Sequence, residues 1–368
     1  MKICHITTVH TNRYDDRIFE KECVSLAAAG YDTYLIVNDP FPNETKSGVN
    51  IISLHCIIRN RIDRIIRASN KALRKAVEID AEIYHIHDPE LLRIGVKLQR
   101  KGKKVIFDSH EFTAEQILDK KYLPTRVRKI IAKLYRHYEC KCLNQLSGLI
   151  VPCLFEGKDY FSYIDIPKII VDNYPVMEKY KDYFCNIEER EDSVCYIGSI
   201  SEARGAIQMV RAAKLAGRKL VLIGSMDDEI RTQIESMSEF SNVECTGEMP
   251  HEEAMRIASK SKVGLALLHN TGQYAKIDNL PVKLYEYMMM GVPTVISNFP
   301  YYMKVLNKYH FGMAVDPMNE EEIAASINKI ASDVELQRKM SDEGMRAIIT
   351  EMNWEKESRK LIEFYSIL

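Results

Sequence analysis

The chain has 368 residues, of which 46% are apolar and 28% charged, with a formal net charge of -1 and a mean hydropathy of -0.24. That is a soluble globular balance with room for two domains, and no run of about 18 apolar residues offers a membrane-spanning helix. Nine cysteines are scattered without a CxxC pair, which sets aside a disulfide scaffold or metal finger and points to reduced thiols in the cytoplasm.

Residues 1–10 (MKICHITTVH) run directly into a strand-like pattern, so no cleaved leader is expected. Strand-like apolar runs at 3–8, 34–37, 83–86, 105–107 and 149–151 alternate with segments of helical period such as 17–29 and 124–143. The series restarts at 194–197 and continues through 220–223, 243–245, 263–267 and 294–296, and from Glu320 onward helix follows helix. Such alternation predicts parallel sheets with right-handed crossovers, hence an α/β fold of two Rossmann-like domains. The expected domains are residues 1–175 and 176–352, with the final helix, 353–368, returning to the first. The polar, tyrosine-rich stretch 173–192 reads as their linker. Residues 1–175 hold 28 Lys and Arg against 22 Asp and Glu, and the remainder 23 against 30, which suggests different partners for the two halves. Open α/β sheets bind ligands beyond the carboxyl ends of their strands, so the expected site is a cleft between the domains.

A dinucleotide fingerprint is absent, because Thr7-Thr8-Val9-His10-Thr11-Asn12-Arg13 follows the first strand without a glycine, and no GxxxxGK[ST] occurs. The segment Asp15-Asp16-Arg17 opens the first helix, with Asp16 placed to cap it. His85 and His87 alternate onto one strand face, a spacing that a metal pair could share. Phe107-Asp108-Ser109-His110-Glu111 follows a strand and aims His110 at the cleft. Two basic stretches, Arg59 to Lys75 and Lys120 to Lys141, carry seven and eight cations against one acid each, interleaved with apolar residues. They suit an anionic membrane surface; nucleic acid is disfavoured because no recognised module accompanies them.

The most informative segment is residues 278–297, DNLPVKLYEYMMMGVPTVIS. Pro281 starts a helix of about ten residues that Gly291 and Pro293 stop. Its N-terminus offers N–H groups and a positive dipole end to an anion, and Lys283 in the first turn adds a full charge. Asp278 and Glu286 are eight residues apart, about 12 Å along a helical path, the scale of two sugars flanking a diphosphate. Earlier, Tyr196-Ile197-Gly198-Ser199-Ile200-Ser201-Glu202-Ala203-Arg204-Gly205 passes from strand to helix, where glycines admit a ligand to the backbone and Arg204 can pair with phosphate oxygens. Leu222-Ile223-Gly224-Ser225 and Thr246-Gly247-Glu248-Met249-Pro250 also follow strands.

These motifs resemble those of retaining glycosyltransferases of family 4, which have the GT-B fold of two facing Rossmann-like domains. Asp278-x7-Glu286 with Gly291-Val292-Pro293 is similar to the family's Glu-x7-Glu motif, with Asp where Glu is usual. The 196–205 segment resembles its phosphate loop, with Arg204 at the Lys position and Ser199 where Arg is usual. The resemblance implies a metal-independent transfer of a sugar, with retention, from a nucleoside diphosphate-sugar to a hydroxyl acceptor on a glycan or lipid-linked sugar. No cofactor is implied, the nucleotide-sugar being a substrate. It implies catalytic roles for His110 and Asp278, and donor contacts for Ser199, Arg204, Ser225, Lys283, Glu286 and Arg17. It makes His85 and His87 a structural strand end near the acceptor groove. A role in bacterial surface-glycan assembly, peripheral on the inner face of the plasma membrane, follows from the same resemblance. Two other readings remain open: a nucleotide-sugar 2-epimerase of similar fold, and a non-catalytic nucleotide-sugar-binding subunit.

Overall fold

The computed structural model describes every residue but Lys121, and every side chain but that and Lys181; Lys121 of the second basic stretch therefore lies outside the described residues. The chain divides into two compact units, Met1–Asn173 with Glu355–Leu368, and Tyr174–Trp354.

The first unit is built on β1 (Lys2–Ile6), β2 (Asp32–Val37), β3 (Glu44–Lys46), β4 (Val49–Ser53), β5 (Ile83–Ile86), β6 (Lys104–Asp108), β7 (Gly148–Val151) and β8 (Lys168–Ile170). They form one sheet in the order β3-β4-β2-β1-β5-β6-β7-β8, parallel except for the β3–β4 hairpin. All four residues of β5 and of β7 are buried, as a sheet covered on both faces requires, and His5 on β1 and His85 on β5 are buried with their apolar neighbours. The order turns at β1, with β2 on one side and β5 on the other, the switch point at which open α/β sheets bind ligands.

The second unit contains β9 (Glu191–Ile197), β10 (Lys219–Ile223), β11 (Val243–Gly247), β12 (Ser261–Ala266), β13 (Thr294–Ser297) and β14 (Gly312–Val315). Its sheet order, β11-β10-β9-β12-β13-β14, is wholly parallel and doubly wound, with its switch between β9 and β12. Alternate residues of these strands point to opposite faces, so Cys195 and Ile197 join one core, Val194 and Tyr196 the other.

Two local expectations are corrected. The stretch 173–192 is not a loose linker: it winds into short turns at Met177–Tyr183 and Ile187–Glu189. Its tyrosines Tyr174, Tyr180 and Tyr183 are buried in the second unit's core, because aromatic burial outweighs the polarity of their neighbours. The first helix is capped by Asp15, not Asp16, its carboxylate accepting from the N–H groups of Arg17 and Ile18. Asp16 instead receives Lys21 Nζ at 2.6 Å. That helix also opens as a π-helical stretch, Asp16–Cys23, before becoming α-helical over Val24–Ala28.

The helix Trp354–Ile367 lies against the first unit's sheet. Glu357 accepts from the N–H of Asp172 at 3.0 Å. Phe364 packs so closely on Gly148 that a Cβ there would meet its ring at 2.8 Å.

Candidate functional site

In the second unit the loops leaving β9 and β10 run side by side beyond the sheet. The N–H of Gly198 donates to Ile223 O at 2.8 Å and that of Ile200 to Ser225 O at 2.8 Å. Gly224 makes this approach possible. Its φ is +137° and a Cβ would come within 2.3 Å of Gly198 O, so any larger residue would force the loops apart.

Tyr196 organises the groups around this loop. Its hydroxyl donates to Ser199 O at 2.9 Å, and Arg204 Nη1 donates to the same carbonyl at 3.0 Å. Lys283 Nζ stands 3.4 Å from the Tyr196 ring centroid, a cation–π contact, and a Cβ on Gly198 would lie 3.3 Å from that ammonium. The fold thus gathers Ser199, Arg204 and Lys283, which lie 84 residues apart at their extremes in sequence, around one ring. Burial and the neighbouring Arg204 hold the Lys283 ammonium well below its usual range; an anion at this spot would relieve both penalties. Ser225 is exposed at the same edge.

Lys283 and Glu286 belong to the helix Val282–Met289, entered through Pro281 and stopped where Gly291 takes φ +68°. Glu286 turns inward and is buried. His251 Nε2 lies 2.7 Å from its Oε1, and Tyr180 donates to the same oxygen at 3.4 Å. Asp278 sits half-buried in the turn before this helix. Sequence reading passed over His251 and Tyr180, since nothing local links residues 35 and 106 positions away to Glu286.

The first unit carries a cavity of about 680 Å³ beyond β1, β5 and β6, lined by His10, Asp88, Glu90, Glu111 and His110 among others. Arg64 of its wall donates to Glu90 at 2.9 Å. Asp88 Oδ2 accepts from the N–H groups of Thr8 and Val9 at 2.5 and 3.1 Å, which fixes the loop after β1. His110 reaches inward from the cavity wall: its Nε2 is 3.0 Å from His87 Nδ1 and 3.3 Å from Asp108 Oδ2.

Arg17, expected as a donor contact, is buried within the first unit. It is 6% exposed, and its guanidinium donates to both oxygens of Asp108 at 3.1 Å and to Val171 O at 3.1 Å. Its Nε also lies 3.0 Å from Glu22 Oε1, and the buried guanidinium holds the Asp108 carboxyl well below the ordinary range against the cost of burial.

Two groups among the described residues have metal-ligating atoms close together: His5, Glu22, His85 and His87, and separately His87, Asp108 and His110. Their nitrogens are largely engaged with one another, His5 Nδ1 to His87 Nε2 at 2.9 Å and His85 Nδ1 to Tyr365 at 2.5 Å.

The basic stretches form the helical run Arg61–Ile79 and the helix Thr125–Leu143. Both keep apolar side chains outward: Ile62, Ile65 and Ile66 on the first, Ile130, Ile131 and Leu134 on the second. No helix among the described residues is long and apolar enough to cross a membrane.

Two family models match, that of Glycosyltransferase Family 4 over residues 16–171 and that of Glycosyl transferases group 1 over residues 183–346. No curated protein matches the sequence. Among solved structures, sucrose-phosphate synthase from Thermosynechococcus elongatus is 15% identical, with a TM-score of 0.75 covering 100% of this chain and 98% of that one. Anabaena Alr3699/HepE, solved with UDP, is 12% identical with a TM-score of 0.69 and covers 100% of both chains. A glycosyltransferase from Rickettsia africae is 12% identical with a TM-score of 0.70, covering 99% and 97%. At these identities the likeness is one of fold, and that fold is GT-B. With one family model on each unit, the chain belongs to the family 4, group 1 glycosyltransferases and is a glycosyltransferase enzyme.

Proposed function

We propose that the protein transfers a sugar, with retention of anomeric configuration, from a nucleoside diphosphate-sugar held by the second unit to a hydroxyl acceptor bound by the first. The observation that carries this reading is the pair Arg204 and Lys283 converging on the Tyr196 loop beyond the sheet's switch point. Two cations and loop N–H groups there suit a diphosphate. Anabaena HepE, of the same fold, has been solved with UDP-glucose, which supports a uridine donor as the first to try.

In the reaction the bond between the anomeric carbon and the β-phosphate oxygen breaks, and the nucleoside diphosphate leaves with the electron pair. Arg204 and Lys283 stabilise the charge growing on it, a preorganised electrostatic contribution. The acceptor oxygen bonds to the anomeric carbon on the same face, and its proton passes to the departing phosphate oxygen. Glu286 binds the ribose hydroxyls, Asp278 faces the transferred sugar, and His110 accepts a hydrogen bond from a sugar or acceptor hydroxyl. Charge neutralisation by side chains leaves no step that needs a metal, so turnover persists in EDTA.

The acceptor we favour is a glycan or lipid-linked sugar presented at an anionic membrane surface, as in surface-glycan assembly. Outward isoleucines and leucine among the cations of Arg61–Ile79 and Thr125–Leu143 support it. The test is a panel of UDP-, GDP-, ADP- and dTDP-sugars scored by thermal shift, then by NMR of the anomeric proton of the product. Stabilisation by one donor and a product of unchanged anomeric configuration are expected. An inverted product removes retention, and failure of every donor to shift the unfolding temperature removes the donor class.

A further inference from the structure

Beneath the first unit's cavity, a line of buried side chains runs from His110 to the last helix. His110 Nε2 meets His87 Nδ1 at 3.0 Å, and His87 Nε2 meets His5 Nδ1 at 2.9 Å. His5 Nε2 meets the Tyr365 hydroxyl at 3.3 Å, and that hydroxyl meets His85 Nδ1 at 2.5 Å. His5, His85, His87 and Tyr365 are each at most 2% exposed. Burial holds His5 and His85 well below the usual imidazole range and His87 at about 4, so the three are neutral near pH 7 and each carries one ring proton.

Every contact in the line needs one proton; if Tyr365 accepted from both His5 and His85 its own O–H would be left unpaired in the core, so two arrangements remain, each with the protons all pointing the same way. Asp108 decides between them, because burial and the neighbouring Asp108 push the Glu22 carboxyl well above the ordinary range and leave Asp108 as the anion beside the line. Its Oδ2, kept anionic by Arg17, lies 3.3 Å from His110 Nε2, 3.6 Å from His87 Nδ1 and 3.8 Å from His85 Nε2. If His110 donates inward, protons sit on His110 Nε2 and His85 Nε2, so two N–H groups face the carboxylate and one lone pair does. In the reverse arrangement two lone pairs face it and one N–H does. The first arrangement wins, and its nearest contact is the favourable one.

We propose that Tyr365, acting through His5 and His87, is a positioning residue that fixes His110 as the Nε2–H tautomer, leaving its Nδ1 as a hydrogen-bond acceptor for a substrate hydroxyl in the cavity. This rests on the reading of His110 given above. Tyr365 is the joint of the line: it accepts from His5 Nε2–H and donates to His85 Nδ1. Without its hydroxyl, His5 Nε2–H faces no acceptor in a dry core, a cost that shifting the proton to Nδ1 relieves. That shift places two N–H groups against each other at His87, which must then turn its proton towards His110, and Nδ1 of His110 becomes a donor. Besides Asp108, the charged or titratable groups facing the line are Arg17 and Glu22 of the first helix, with Glu22 Oε2 3.8–4.0 Å from His5, His85 and His87. At the cavity end they are His10, whose ring lies 5.3 Å from that of His110, and Asp15, 3.2 Å from His10.

The experiment is long-range 1H–15N NMR of protein carrying 15N-histidine, alongside turnover of the intact enzyme. In the wild type His110, His87 and His5 are expected as Nε2–H tautomers. In Tyr365→Phe His110 moves to Nδ1–H, and kcat falls tenfold or more while the donor KM stays within twofold, since a wrongly protonated histidine loses its role without losing its place. An Nδ1–H tautomer of His110 in the wild type overturns the proposal even if Tyr365→Phe does not fold. So does an unchanged tautomer and kcat in Tyr365→Phe where His110→Ala is inactive; full activity of His110→Ala instead removes the reading on which the proposal stands. One equivalent of a transition metal in the purified protein, lost in His85→Gln, also overturns it.

Discussion

Lys283 Nζ lies 3.4 Å from the centroid of the Tyr196 ring, although 87 residues separate the two in the chain. The ammonium is thereby stored on an aromatic face, beside Gly198 and partly withdrawn from water. Its charge is disfavoured there by burial first and by Arg204 second. A diphosphate arriving at the loop favours the charged form and raises this pKa, so binding takes up a proton at any pH between the free and bound values. Calorimetry of nucleoside diphosphate binding across the whole pH range in which the protein is folded, in buffers of different ionisation enthalpy, should show this uptake in the wild type and its loss in Lys283→Met. Equal heats in all buffers would show that Lys283 does not meet the phosphates.

Removal of either cation should also slow the reaction. Arg204→Ala and Lys283→Ala are each expected to raise the barrier by roughly 2–4 kcal/mol, the scale of a single oxyanion donor, and the double variant to be nearly inactive. Wild-type rates in both single variants would contradict the assignment.

The two carboxylates should divide the donor between them. Glu286→Gln is expected to weaken binding of the bare nucleoside diphosphate, because the ribose is part of it, and to loosen His251, which Glu286 Oε1 now holds at 2.7 Å. Asp278→Asn should leave bare nucleotide binding nearly unchanged while kcat falls, since its partner exists only in the full donor. Similar losses of nucleotide affinity in both variants would refute this division.

Acid should destabilise the first unit through its histidines. In the fold His87 has a pKa of about 4, with His5 and His85 also depressed, all by burial; unfolded, each returns to about 6.5. The unfolded chain therefore binds more protons below about 6.5, and stability present above that pH is lost as pH falls towards 4. His87 alone accounts for about 3 kcal/mol over this window. Unfolding temperatures measured from pH 7 to 4 should fall steadily, and a flat profile would mean that these rings are already charged in the fold.

Vesicle binding should depend on charge and apolar contact together. Flotation with anionic vesicles is expected for the wild type and should weaken with salt, since each surface cation near an anionic leaflet contributes about 1 kcal/mol. Ile62→Ser with Ile66→Ser and Leu134→Ser should weaken it at constant charge. Binding that is equal on neutral vesicles would exclude an electrostatic attachment.

The sequence by itself determined the α/β alternation, the ends of the helix Val282–Met289, and the glycosyltransferase family. Each of these is written in nearby residues: apolar runs of strand length, a proline that suits a helix start, and a glycine that accepts φ +68° at its end. Only the tertiary structure decided what Arg17, Glu286 and His110 touch. Arg17 reads as an open cation at a helix start, yet Asp108, 91 residues on, closes over it. Nothing near Glu286 announces His251 or Tyr180, and nothing near His110 announces Tyr365, 255 residues later. The reason is that side-chain polarity is a local property whereas hydrogen-bond partnership is fixed by sheet order. Strands β1, β5 and β6 lie adjacent, so His5, His85 and Asp108 meet in a buried layer, where unpaired polar atoms cost too much to be left to chance.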